Sequence, residues 1–215
     1  ESEGSHLLVV EPPILDETGK PYKNLDVAGI DAIDMGRSDS ATDGDVSDFC
    51  VVVKKRILGM DDPKYVAMYK FRPNDIRQAY DLTLKLLTWY NCKAMLEYTK
   101  ISIQTYFKEK GKSHLFMSRP DFASNSSSRR NPVKRLIGLP ATEAVIKHGL
   151  ELVGNFINDY WHTIDYEEML DQMLNYSYEN KRKFDIIAAM QQCEIADEDM
   201  SGVTPTTVES IKSQW

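Results

Sequence analysis

The sequence is poor in cysteine, in histidine and in long apolar runs. It has three cysteines and four histidines in 215 residues, and Cys50, Cys92 and Cys193 form no CxxC pair. This spacing argues against a structural zinc site and a disulfide framework, and it predicts buried thiols in a reducing cytosol. No apolar run approaches the roughly 20 residues that a membrane helix needs, so we expect no membrane contact.

An excess of positive charge is also missing, because the formal net charge is −7. Affinity for nucleic acid depends largely on cations that meet phosphates, so the overall balance does not indicate a nucleic-acid-binding protein. Basic residues nevertheless gather between positions 119 and 135, at Arg119, Arg129, Arg130, Lys134 and Arg135. A solvated surface loop and a DNA-binding loop explain the last four equally well. Arg129, Arg130, Lys134 and Arg135 are therefore candidate DNA-binding residues.

The order of apolar segments predicts an α/β domain. Three early β-rich runs (27–33, 49–53 and 65–69) favour a meander of antiparallel strands, joined by a polar loop and a short hairpin. Two further strands, 93–97 and 114–117, are predicted to alternate with helices at about 74–90 and 101–110. Asn74 is the predicted N-cap of the first of these helices. The remaining predicted helices cover about 142–160, 165–176 and 183–195.

Three acidic residues stand inside apolar elements. Asp31 lies within the first predicted strand, Glu97 ends the fourth, and Asp185 precedes the apolar start of the last helix. A buried carboxylate without a partner costs several kcal/mol, so such residues usually pair with a cation or bind metal. An ion pair remains the alternative for Asp31, solvation for Glu97, and a helix-terminal role for Asp185. Together the three suggest a cation site.

Several stretches resemble the nuclease domain of the large terminase subunit, the DNA-packaging motor protein of tailed phages. They are Ala28-Gly29-Ile30-Asp31-Ala32 followed by the strand after Ser47-Asp48, then Leu96-Glu97, the stretch from Arg135 to Thr142, and Lys183 to Met190 with Asp185. The order of the acids, strand Asp, strand Glu and helix Asp, agrees along the chain. The resemblance covers about residues 25–198, which leaves 1–24 as an extension, a tag remnant or a short strand, and 199–215 as a tail.

The resemblance implies an RNase H-like fold, a mixed sheet of five or more strands flanked by helices. It also implies a metal-dependent endonuclease that cuts concatemeric double-stranded DNA during genome packaging. Asp31, Glu97 and Asp185 would be the catalytic ligands of two Mg²⁺ or Mn²⁺ ions, and Asp48 and Asp34 auxiliary ligands. Two such metal ions promote the hydrolysis of a phosphodiester by activating water and stabilising the leaving oxygen.

The partners that the resemblance implies are double-stranded DNA, the terminase ATPase domain, the portal and the small terminase, in the cytoplasm of an infected bacterium. The chain contains no GxxxxGK[ST] phosphate loop, so the ATPase motor is not in it. Either a piece of a motor-nuclease protein or a stand-alone nuclease explains this. Another RNase H-like nuclease, such as a junction resolvase or an RNA–DNA hybrid cutter, and a non-catalytic DNA-clamping or docking module remain alternatives.

Overall fold

One mixed β-sheet organises the protein in this computed structural model, which describes residues 6–33, 47–56, 61–124, 136–177, 179 and 184–207. Within these residues the sheet has five strands in the order β1-β4-β3-β2-β5. The strands are β1 (Leu7–Val9), β2 (Asp26–Asp31), β3 (Phe49–Lys55), β4 (Lys64–Phe71) and β5 (Lys93–Leu96). The α/β class predicted from the sequence is confirmed.

The predicted meander is present, because β2, β3 and β4 pair antiparallel in sequence order. The fourth predicted strand, β5, runs parallel to β2 on its other side, with Ile30 opposite Leu96. A parallel pair needs a crossover connection, and α1 (Ile76–Trp89) supplies it. The parallel pairing also brings the carboxyl ends of β2 and β5 to the same edge of the sheet.

Helices cover both faces of the sheet, and alternate strand residues point to opposite faces. Val51 and Val53 pack with α1 and α2 (Ile101–Glu109), which cover the first face. Cys50 and Val52 pack with the second face's three helices, α3 (Glu143–Tyr160), α4 (Glu167–Asn175) and α5 (Asp185–Asp199). The three cysteines are free and buried, as predicted. No helix among the described residues is long and apolar enough to cross a membrane.

The helix α5 lies unusually close to β2, because Gly29 presents no side chain to it. A Cβ atom at Gly29 would lie 2.0 Å from the carbonyl oxygen of Ala189 and 2.4 Å from the amide nitrogen of Cys193. These separations are far below van der Waals contact, so only glycine permits this packing. The small residues of α5 and Gly29 together fix how far the helix stands above the strand.

A buried ionic network fixes the other end of α5 against the sheet. The ammonium of Lys54 on β3 lies 2.6 Å from Glu194 and 2.9 Å from Asp197, and the Lys54 side chain is 3% exposed. Arg56 donates to Asp197 at 2.6 Å and to three backbone carbonyls, among them that of Met200. Every charge in this network has a partner, which is the condition for burying charges at all.

The structure corrects several local predictions. Residues 114–117 are not a strand: Ser113–Leu115 form a 3-10 turn, and Phe116 makes only an isolated bridge to Ala94. The N-cap of α1 is Asp75, whose carboxylate accepts from the backbone N–H of Arg77, and not Asn74. Of the alternatives for residues 1–24, the short strand is present, because β1 adds an edge strand beside β4. The observed helix bounds differ from the predicted ones by at most four residues. The largest difference is at the end of α5, which was predicted near residue 195 and lies at Asp199.

Candidate functional site

The carboxyl ends of β2 and β5 place two of the three candidate acids at one edge of the sheet. Asp31 is the last residue of β2, and Glu97 directly follows β5, where it bridges to Leu139. Ile30 and Leu96 are opposite each other and both pack on the face covered by α1 and α2. The residues that follow them, Asp31 and Glu97, therefore point to the opposite face, on which α5 packs.

Asp185 reaches the same edge from the N-terminus of α5, of which it is the first residue. One of its carboxylate oxygens, Oδ2, accepts the backbone N–H of Asp48 at 3.0 Å. Asp48 precedes β3, so this bond ties the start of the helix to the start of a strand. Asp185 is buried, with 6% of its surface exposed. The helix N-terminus also favours a negative charge at this position.

Two residues that the sequence analysis did not select complete this part of the site. Lys70, near the end of β4, pairs with Asp48 at 3.0 Å and with Glu168 at 2.6 Å. The strand register explains its position, because Asp31 lies opposite Cys50 and Cys50 lies opposite Lys70. Residues that lie opposite one another in a row across a sheet point to the same face. Only this register could have indicated Lys70 in advance, since a lysine near a strand end is otherwise unremarkable.

Burial and mutual repulsion perturb the carboxylates of this edge. The pKa of Asp31 is raised to about 7, first by burial and then by the charge of Asp185; Lys100 lowers this pKa and Glu97 raises it. Burial raises the pKa of Asp185 to about 6, against the N–H of Asp48, which lowers it. These contributions mean that the three acids and Lys100 are electrostatic neighbours. A carboxylate held in this way favours either a proton or a cation beside it.

A raised pKa alone does not distinguish this edge. Asp26, at the opposite end of β2, also has its pKa raised to about 7 by burial, with Lys55 lowering it. Asp26 and Asp31 are five positions apart, or about 17 Å along a strand. The charges of Asp185 and Glu97 act on Asp31, whereas the acid that acts on Asp26 is Glu11. Asp31 is therefore the strand acid that belongs to a cluster.

The environment of each acid bears on its alternative role. Asp31 has no ion pair within 4.0 Å among the residues that the structure describes, so a salt bridge does not account for a carboxylate at this partly buried position. Glu97 is partly exposed and accepts a hydrogen bond from the hydroxyl of Thr99. Asp185 combines a helix-terminal position with the bond from Asp48.

Asp34, Arg129, Arg130, Lys134 and Arg135 lie outside the described residues, so their predicted roles remain predictions. Oxygen donors such as the three carboxylates are the ligands that Mg²⁺ and Mn²⁺ prefer. Over the described part of the chain, however, no group of three or more His, Cys, Asp or Glu side chains is arranged to hold a metal ion. The acids share one edge and one face without closing on a common point.

No protein-family model matches the chain, and no curated protein is significantly similar to it.

Proposed function

We propose that this protein is a metal-dependent DNA endonuclease with an RNase H-like fold, related to the nuclease domain of large terminase subunits. The strand arrangement supports the fold: an antiparallel meander is followed by a strand parallel to the first member of the meander. The terminase resemblance adds the order of the three acids along the chain. Its substrate would be concatemeric double-stranded DNA, cut during packaging in the cytoplasm of an infected bacterium.

The observation that carries the proposal is the shared edge of Asp31, Glu97 and Asp185. Glu97, after the end of one strand, and Asp185, at the start of a helix, both raise the pKa of Asp31, at the end of another strand. Folding gains nothing from gathering carboxylates that repel one another, so a cation that binds them is the expected explanation. Two divalent ions, when bound, would supply an activated water and stabilise the leaving oxygen of a phosphodiester.

The chain's own residues would then act in distinct ways. Asp31, Glu97 and Asp185 would hold the ions through their carboxylate oxygens. Asp48 orients Asp185 through its backbone N–H, and Lys70 fixes the Asp48 side chain by an ion pair. Lys70 is thus a positioning residue. The proposed partners are duplex DNA, the terminase ATPase domain, the portal and the small terminase.

A non-catalytic DNA-clamping module is the second candidate, and one observation favours it. The acids of the described residues do not form a group arranged to hold a metal ion. For hydrolysis, the three acids would have to move closer together around a bound ion. A module that only binds DNA would not need such a movement.

Cleavage of a substrate series separates these functions. Matched fluorescent substrates would be a linear duplex, a four-way junction and an RNA–DNA hybrid, each with Mg²⁺, with Mn²⁺ and with EDTA. The proposal predicts metal-dependent cutting of the linear duplex. Preference for the junction would indicate a resolvase, and preference for the hybrid would indicate a ribonuclease H activity. Binding of duplex without cutting of any substrate would overturn the proposal in favour of the clamping module.

A further inference from the structure

A half-open cavity of about 530 Å³ lies beside the candidate site. Its volume is within the range of about 300–1,000 Å³ that is typical of small-ligand pockets. The residues that matter for its chemistry are Tyr98, Arg119, Phe122, Leu136, Thr142 and Ala144. None of these residues takes part in the arrangement of the three acids.

Arg119 lines this cavity with a guanidinium that is incompletely satisfied. The residue is 8% exposed, and its Nε donates to the carbonyl of Gly138 at 3.0 Å. Its Nη2 is buried and has no hydrogen-bond partner among the residues that the structure describes. A buried charged donor without an acceptor is costly, and a bound anion would remove that cost. The ring of Tyr98 lies 4.8 Å from the guanidinium carbon and covers it.

The N-terminus of α3 lines the same cavity and is a second source of donors. Thr142 caps this 18-residue helix, and its hydroxyl accepts from the N–H of Val145 at 3.4 Å. First-turn N–H groups of a helix have no partner within the helix, and the helix dipole favours an anion there. Ala144, from this turn, lines the cavity. The acid of the turn, Glu143, does not line it and pairs with Lys147 at 2.8 Å.

The outer wall of the cavity is apolar and exposed. Tyr98 is 40% exposed, Phe122 46% and Leu136 53%. Phe122 is held edge-to-face against His148, with ring centroids 4.8 Å apart. Exposed aromatic rings around a buried cation are suited to a ligand that joins a flat apolar group to an anion. Nucleotides have this composition, with a base that stacks on aromatic rings and a phosphate.

Short backbone links join the cavity to the end of β5. Tyr98 directly follows Glu97, and its N–H donates to the carbonyl of Leu139 at 2.9 Å. Gly138 has a positive φ of 76°, and a Cβ there would lie 2.5 Å from the carbonyl oxygen of Leu96. The segment that carries the acceptor of Arg119 is therefore pressed against the end of the strand that leads to Glu97. The cavity therefore lies next to the end of the strand that leads to Glu97.

We propose that this cavity binds one nucleotide of the DNA strand that enters the candidate site. The phosphate would meet the N-terminus of α3 and, after the Tyr98 ring that lies over the guanidinium has moved, Arg119. The base would stack against Phe122 and Tyr98. The choice of DNA as the source of the nucleotide rests on the proposed function. The contact itself can be tested without cleavage.

Substitution of Ala144 by Glu tests the phosphate contact directly. Ala144 is exposed in the first turn, where an acidic residue favours the helix, so the variant should fold. Its carboxylate would occupy the position proposed for the phosphate. Asn158→Glu is the matched control, because it adds the same charge at an exposed position of α3, about 21 Å away along the helix.

Fluorescence anisotropy would measure the binding of a labelled 20-nucleotide single strand and of its duplex, with Ca²⁺ in place of a metal that supports cleavage. We expect Ala144→Glu to weaken binding about ten-fold or more. The dependence of the binding constant on salt concentration should also become less steep, by about the amount that one phosphate contact contributes. We expect Arg119→Lys to weaken binding less, because it keeps the charge but loses the fork of donors. Asn158→Glu should stay within about two-fold of the parent. Equal effects of Ala144→Glu and Asn158→Glu would overturn the proposal.

Competition identifies the ligand. Deoxynucleoside monophosphates should displace the single strand at lower concentrations than inorganic phosphate does. If inorganic phosphate competes equally well, the assignment of Tyr98 and Phe122 to a base is wrong. Weaker binding by Ala144→Glu in a protein that never cuts DNA would support the cavity and refute the endonuclease, so the two failures remain distinguishable.

Discussion

Replacement of Asp31 by Asn should stabilise the metal-free protein at neutral and alkaline pH. The pKa of Asp31 is raised from its ordinary value of 3.8 to about 7 by burial and by the charge of Asp185. A carboxyl group with a raised folded-state pKa contributes stability below the pKa of the unfolded chain. That contribution is lost as pH rises through the folded-state value. The parent should therefore lose stability between about pH 4 and pH 7.

The size of the effect follows from the shift. About three pKa units at roughly 1.4 kcal/mol each correspond to about 4 kcal/mol. Asp31 is partly exposed at the strand end, so solvent screening reduces this value, and we expect about 2–4 kcal/mol. An asparagine has no charge to bury and nearly the same shape. The free energy of unfolding of Asp31→Asn should exceed that of the parent by this amount at pH 8 and match it near pH 3.

Urea unfolding in EDTA at pH values from 3 to 8.5 would measure this difference. Asp159→Asn, an exposed position near the end of α3, is the control and should follow the parent at every pH. A gain for Asp31→Asn that does not grow with pH would refute the reasoning. It would mean that Asp31 is solvated or paired in the folded protein.

Three further outcomes follow from the same contacts. Gly29→Ala should cost more than about 3 kcal/mol of unfolding free energy in urea, because its Cβ would meet the backbone of α5; near-wild-type stability would show that α5 stands further from β2. Lys54→Met should lower the free energy of unfolding by about 3–5 kcal/mol, because it leaves buried carboxylates unpaired. The exposed control Lys85→Met should leave the thermal midpoint unchanged. Equal midpoints for the two variants would contradict the buried network. Saturating Mn²⁺ should raise the thermal midpoint of the parent by about 5–10 °C in calorimetry but not that of Asp31→Asn, and equal shifts would place the ion elsewhere.

The periodic segments of the chain made most of the fold predictable. The β-branched run of β3 is buried on both faces, and the amphipathic α1 follows the meander as expected. The two strand acids could be selected as candidates because a charge inside an apolar run is rare. Asp185 could be selected from its place before a small-residue helix.

Features set by tertiary contact could not be predicted in the same way. The apolar run 114–117 has the composition of a strand but makes single bridges, and so short a run does not define its own state. Leu7–Val9 become a strand only because the edge of β4 accepts them. Lys70 and Glu168 meet Asp48 through register and helix packing, which the order of residues along the chain does not reveal.

The most direct test of the carboxylate edge as a hydrolytic site is the cutting of supercoiled plasmid with Mg²⁺ or Mn²⁺ by matched variants. Asp31→Asn and Asp185→Asn should each lower the rate about a hundred-fold or more, since each removes an ionic ligand. Asp26→Asn makes the same change at a buried position with a similarly raised pKa at the other end of β2, and it should cut at the parent's rate. Cutting that survives loss of Asp31 and Asp185, equal loss in all three variants, or no cutting by the parent would contradict the account.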